Sequence, residues 1–136
     1  MDTVRILEQS DTVAVVGFSA DPAKSAHSIP VSLKRSGYRV VPVNPNCTEV
    51  AGERSYPSLR DVPHPIDLVV VFRPAEEAPG IARQAVEVGA KALWLQSGLR
   101  SPEARRIATE AGLGYVEDRC TAVERSVHGI RKLRSG

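Results

Sequence analysis

Aromatic side chains make up only 4% of this 136-residue chain, and it has a single tryptophan. That is poor material for a surface on which single-stranded bases stack. An excess of one charge is missing as well. Eighteen basic and sixteen acidic residues leave a net charge of +2, too little for a strong polyanion-binding field, so no nucleic-acid partner is expected. No segment approaches the roughly 20 apolar residues of a membrane span. The N-terminal MDTVRILEQSD carries acids where a secretory signal needs an apolar core. The two cysteines, Cys47 and Cys120, are far apart and form no CxxC pair. This argues against a structural disulfide or zinc site and makes a reducing cytosol the default compartment. Catalytic signatures are missing too: there is no HExxH, GxSxG or P-loop. Glu117 and Asp118 are adjacent, which in a strand sends them to opposite faces and makes no acid/base pair.

What remains is ordinary globular composition, 42% hydrophobic and 25% charged. The length fits one domain, 1–136, able to bury roughly two thirds of its unfolded surface. Five short apolar runs punctuate it: Thr12 to Gly17, Tyr38 to Val43, Asp67 to Phe72, Ala92 to Leu95 and a weaker Gly114 to Val116. They are continuous rather than alternating, as suits strands covered on both faces of a parallel sheet. Helical patterns lie between them. AHSIPVSLKRSG ends at Gly37, with Pro30 expected in its first turn. PAEEAPGIARQAVEVG opens with proline and acids and stops at Gly89, with an irregularity expected near Pro79-Gly80. SPEARRIATEAG has Ser101 as N-cap, Pro102 in the first turn and Gly112 as stop. Further helices are expected over Thr3 to Gln9 and Thr121 to Lys132, and mostly loop from Asn46 to Pro65. Strands alternating with helices make right-handed βαβ units. The expected fold is α/β, a Rossmann-type five-stranded parallel sheet in the order 3-2-1-4-5 with helices on both faces.

In such a sheet ligands bind beyond the carboxyl ends of the strands, near the point where strand order reverses. The loop GFSADPAKSAHS after the first run occupies that place. Gly17 permits close backbone approach, the following helix offers free N–H groups to an anion, and Ser19, Lys24 and Ser25 add hydroxyls and a charge. A nicotinamide dinucleotide site needs more: G-x-G-x-x-G, and an acid at the end of the second strand for the ribose hydroxyls. Here the turn has one glycine and the strand ends in Val43, Asn44 and Pro45. The bland alternative is a strand-to-helix loop with no ligand.

The segments VAVVGFSADPAKSAHS, GYRVVPVNPN, SYPSLRDVPHPIDLVVVFRP, AVEVGAKALWLQSGL and YVEDRC, in this order, resemble the small bacterial CoA-binding proteins. They are similar to the CoA-binding domain of the succinyl-CoA synthetase α subunit. The resemblance runs from about Thr12 to His128. It implies coenzyme A, or an acyl-CoA, across the carboxyl edge of the sheet. Gly17, Phe18, Ser19 and Ala20 would meet the pyrophosphate, with Lys24 and Ser25 adding polar contacts. Val43, Asn44 and Pro45 would face the adenosine, where a carboxylate would repel the 3′-phosphate. Phe72, Arg73 and Pro74 would line the next part, and Gln96, Ser97 and Gly98 would meet the pantetheine arm. Cys120 falls on the same edge, near a helix start that favours a thiolate, and could form a mixed disulfide with CoA; packing as a small hydrophobe is its other reading. Asn44-Pro45 and Arg73-Pro74 also serve as strand terminators, and Arg73 could instead pair with Glu76 or Glu77.

Ligases of the succinyl-CoA synthetase type use a phosphorylated histidine from a second domain, which this sequence does not contain. His64 and His128 read as solvated or packed, and His27 lies near the loop and could contact it. The C-terminal HGIRKLRSG reads as a frayed, solvated tail. The sequence therefore points to CoA binding without chemistry of its own. The alternatives are a CoA-binding subunit of a multi-chain acyl-CoA ligase, or an NAD- or nucleotide-binding regulator. A protein partner or a homodimer stays open.

Overall fold

A computed structural model describes residues 2–132. Helix α1 (Thr3–Gln9) is capped by Asp2, whose carboxylate accepts the Arg5 N–H at 2.8 Å. The chain then runs through β1 (Thr12–Val16), α2 (Ser25–Arg35), β2 (Arg39–Val43), the short β3 (Glu49–Val50) and β4 (Glu53–Arg54), and β5 (Leu68–Val71). It continues through α3 (Ala78–Glu87), β6 (Ala92–Leu95), α4 (Pro102–Glu110), β7 (Gly114–Val116) and α5 (Thr121–Val127). The helical pattern expected from Pro74 opens with a 3-10 turn over Ala75–Glu77, while Pro79 and Gly80, the expected place of the irregularity, lie in the first turn of α3. Ser101 caps α4 by accepting the Ala104 N–H at 3.1 Å.

The fold class is the expected α/β one. The five main strands form a single sheet, all pairs parallel, in the order β2-β1-β5-β6-β7. The third apolar run therefore lies between the first and the fourth, whereas the expected order 3-2-1-4-5 puts it outside the second. Two features of the chain explain the difference. Leu68–Val71 is buried at every position, as a strand with neighbours on both sides must be. Pro42 lies in β2, where its carbonyl faces away from β1 and accepts the Tyr56 N–H at 3.1 Å. A strand paired on that side would need the N–H that proline lacks, so β2 takes the edge.

Alternation through the strands divides the core into two layers. Val13, Val15, Leu68, Val70 and Trp94 pack on one face with α1, α2 and α5. Val69, Val71, Leu93 and Leu95 pack on the other against α3 and α4. The second layer meets its helices through small residues, Ala78, Ala82 and Ala85 on α3 and Ala104 and Ala108 on α4, all essentially inaccessible.

Three expectations need correction. Pro30 lies in the body of α2, not its first turn. The stretch Asn46 to Pro65 contains the antiparallel pair β3-β4, joined through Ala51 and Gly52 at φ +51° and +80°. The last helix stops at Val127, and the following residues are not a frayed tail: Ile130 is buried, and Lys132 donates its N–H to the Ser36 carbonyl at 2.8 Å and places its ammonium 3.4 Å from Asp11. The rest of that expected tail, 133–136, lies outside the described residues.

At the opposite end from the ligand-side loops, Asp67 ties the sheet together. Its Oδ2 accepts the N–H groups of Asp11 and Thr12, both at 2.9 Å, and Lys91 lies 3.5 Å from its other oxygen. Burial pushes this carboxyl up, but the two N–H bonds and the ammonium outweigh it and hold the group below the usual carboxylate range.

Candidate functional site

Strand order reverses between β1 and β5, and a cleft of about 520 Å³ opens beyond their carboxyl ends. Gly17 makes the approach possible. It has φ +90°, and a Cβ there would sit 2.8 Å from the Phe72 carbonyl oxygen. The chain leaving β1 thus passes against the end of β5 where only glycine fits.

The next two residues are held by three side-on bonds. The Ser19 N–H donates to the Ala26 carbonyl at 3.0 Å. That carbonyl is the one Pro30, lacking an N–H, leaves without its helical partner. Protonated Nδ1 of His27 donates to the Ser19 carbonyl at 2.7 Å, its ring edge-on to Phe18. Asn44, at the end of β2, donates from Nδ2 to the Phe18 carbonyl at 3.0 Å and accepts the Asn46 N–H at 2.9 Å on Oδ1. The loop is a clamped element, and the amide of Asn44 clamps it with one of its two N–H groups.

The residues expected at the site separate into three groups. Gly17, Ser19, Lys24, Val43, Asn44, Pro45, Phe72 and Arg73 line the larger cleft. Ser25, Pro74, Gln96 and Ser97 line a second cleft of about 340 Å³ that shares Ala26, Phe72 and Arg73 with the first. Together the two form a trough from the end of β2 to the end of β6. Phe18, Ala20, Gly98 and Cys120 line neither. The Phe18 ring belongs to the core beneath the loop. Gly98 donates its N–H to Asp118 at 2.7 Å, and that bond, with the Arg100 guanidinium, holds the Asp118 carboxyl below its usual range. Cys120 is the half-buried N-cap of α5, with no side-chain capping bond.

The two ends of the trough differ in charge. At the β1–β2 end Lys24 is exposed, and among the described residues its ammonium has no ion-pair partner. Arg73 is paired with Glu77 at 2.7 Å, and this bond makes the guanidinium a still weaker acid. Beyond Arg73, which lines both clefts, the walls toward the β6 end carry no charge: Ile29 and Leu99, the hydroxyls of Ser25 and Ser97, and Gln96. Gln96 is buried, and its Oε1 accepts the Thr121 N–H at 3.1 Å, starting α5.

Sequence reasoning missed Asn46, Pro57, Ser58 and Leu59, which close the cleft from the β3-β4 side, and Glu77, Ile81 and Gln84. The last three sit at helical spacing, one face of α3 and the turn before it, and that spacing is a signal the sequence does contain. His27, expected near the loop and within reach of it, anchors it.

Residues 11–126 match the CoA binding domain family. An uncharacterized protein of Bacillus subtilis, YneT, is 37% identical over 90% of this chain and 90% of its own length. A hypothetical protein from Pyrococcus horikoshii of known structure superposes with a TM-score of 0.90 at 36% identity, over 93% of this chain and 89% of that one. An ADP-forming acetate–CoA ligase of Archaeoglobus fulgidus is 31% identical over 94% of this chain, which spans only 18% of the ligase. With the family match running from the start of β1 to α5, the chain belongs to the CoA-binding domain family.

Proposed function

We propose that this protein binds coenzyme A or an acyl-CoA along the trough and carries out no chemistry on it alone. The observation that carries the proposal is the polarity of the trough. One end has the Lys24 ammonium, without an ion pair among the described residues, and where the two clefts meet stand Arg73 and the start of an eleven-residue helix whose Ser25 and Ala26 N–H groups have no helical partner. The other end is neutral, with hydroxyls and an amide among apolar walls. A ligand with phosphates at one end and a long amide-bearing arm at the other matches both. The end of β2 supports the choice of nucleotide: Val43, Asn44 and Pro45 present no carboxylate to a phosphorylated ribose. The proposed compartment is the cytoplasm, and among the described residues no helix is long and apolar enough to cross a membrane.

The test is a melting series. CoA at about a hundred times its Kd adds about 2.7 kcal/mol to stability. For this length that raises Tm by about 9 °C. Dephospho-CoA, lacking the 3′-phosphate, should give a smaller rise. No shift with CoA, or a shift with NAD in its place, would overturn the proposal.

A second reading makes the chain the CoA-binding part of a multi-chain ligase. It is favoured by the 18% share of the Archaeoglobus ligase that the chain spans. A catalytic chain that co-purifies, and acyl-CoA synthesis only in its presence, would establish it.

A further inference from the structure

The cleft that offers cations to a phosphate also holds a carboxylate. Glu77 lines it, and its two oxygens take the Arg73 guanidinium in a fork, Nη2 to Oε2 at 2.7 Å and Nε to Oε1 at 3.2 Å. Arg73 stands where the two clefts meet, since it lines both. Both side chains are about half exposed, 48% and 47%. An exposed pair of this kind adds little to stability, so the fold does not require it. The arginine stem is nonetheless placed: its Cδ lies 3.0 Å from the point where a Cβ on Gly17 would be. The stem is seated against the loop while the head can turn.

We propose that Glu77 is an internal competitor for Arg73, dislodged by an entering phosphate, and that it sets the minimum charge of ligand the site accepts. The proposal rests on the trough being a phosphate-ligand site, as inferred above. A phosphate group offers the guanidinium the same two-pronged acceptor geometry as Glu77 with more negative charge, so it wins the exchange. A neutral ligand offers no charge to draw the guanidinium away from Glu77, and a singly charged anion gains too little to displace the carboxylate and meets its repulsion instead. Lys24 stays available in both states, and together the two cations distinguish multiply phosphorylated ligands from pantetheine-like fragments without phosphate.

The experiment follows the Arg73 Nε–H signal by NMR, assigned by its loss in Arg73→Lys, with CoA and inorganic pyrophosphate as separate probes and calorimetry in parallel. Either probe should move the signal away from its ligand-free position. Glu77→Gln should start from a displaced position and bind CoA about two- to fivefold more tightly, the worth of an exposed pair. Glu77→Asp keeps the charge but loses one methylene of reach; tighter CoA binding by this variant attributes the gain to release of Arg73 rather than to removal of a negative charge. CoA binding by calorimetry with an unmoved Arg73 signal, or no gain in Glu77→Gln, overturns the proposal. If CoA gives no heat while pyrophosphate moves the signal, the CoA assignment falls and the exchange stands. If neither probe moves it, both fall.

Discussion

Adding one methyl group at Gly17 is expected to cost about 2–4 kcal/mol, and the structure allows that figure to be divided. At φ +90° an L-residue carries left-handed backbone strain of about 1–2 kcal/mol. The new Cβ would also stand 2.8 Å from the Phe72 carbonyl oxygen and 3.0 Å from Arg73 Cδ. Arg73 can give way, but the carbonyl cannot easily do so, because the Phe72 N–H is bonded to Val16 at 2.8 Å. Separating the ends of β1 and β5 adds about 1–2 kcal/mol, in the range of overpacked cores. Gly89 provides the control. Its φ is +76° and nothing lies within 4 Å of its would-be Cβ, so Gly89→Ala should show the strain without the clash. With an unfolding entropy of about 0.3 kcal/mol/K at this length, Tm should fall about 7–14 °C for Gly17→Ala and about 3–7 °C for Gly89→Ala. Thermal and urea melts followed by circular dichroism measure both. Equal losses in the two variants would refute the close approach of the loop to β5.

Two further outcomes follow from the same geometry. Pro30→Ala would gain about 3 kcal/mol in an ordinary helix interior; here the restored N–H finds the Ala26 carbonyl already engaged by Ser19, so urea melts should show well under half of that gain, and the full amount would mean that the Ser19 bond is dispensable. Asp67 makes stability acid-sensitive: its native carboxyl lies below the 3.8 of an unperturbed one, so its contribution is complete above that value and is lost as pH falls through the lowered one. Asp67→Asn should cost about 1–3 kcal/mol at pH 7, from bonds to a charged acceptor, and should reduce the drop in urea midpoint between pH 5 and pH 2.5; an unchanged acid profile would place the acid sensitivity elsewhere.

The strands were legible because their burial is written as valine-rich runs, and α4 because serine, proline and glycine mark its ends. Strand order was less so. The decisive clue, Pro42, is one missing N–H whose meaning depends on which way that residue faces in the ladder. The β3-β4 pair escaped notice because its turn is Ala51-Gly52 and not the Asn-Gly or Asp-Gly that marks a tight hairpin. In the site, the resemblance named most of the residues that line the trough, and among the side chains it gave to the ligand are two that the fold also uses itself. Asn44 and Gln96 have the polarity of ligand contacts, but Asn44 clamps the Phe18 carbonyl and Gln96 starts α5. A polar residue at a strand end reads the same from sequence whether its partner is a ligand or a backbone group in a neighbouring loop.

Pro42 has a consequence beyond topology. A parallel sheet that ends in an open strand presents a row of donors and acceptors to any extended chain it meets, and that is how soluble folds are recruited into aggregates. Along β2, residues 39, 41 and 43 turn their backbone toward β1, leaving Val40 and Pro42 to face outward. Pro42 has no donor to give, and its acceptor is already taken by Tyr56. An intruding strand would find one N–H, on Val40, flanked by the charge of Arg39. The same ring that sends β2 to the margin of the sheet makes that margin a poor template for growth.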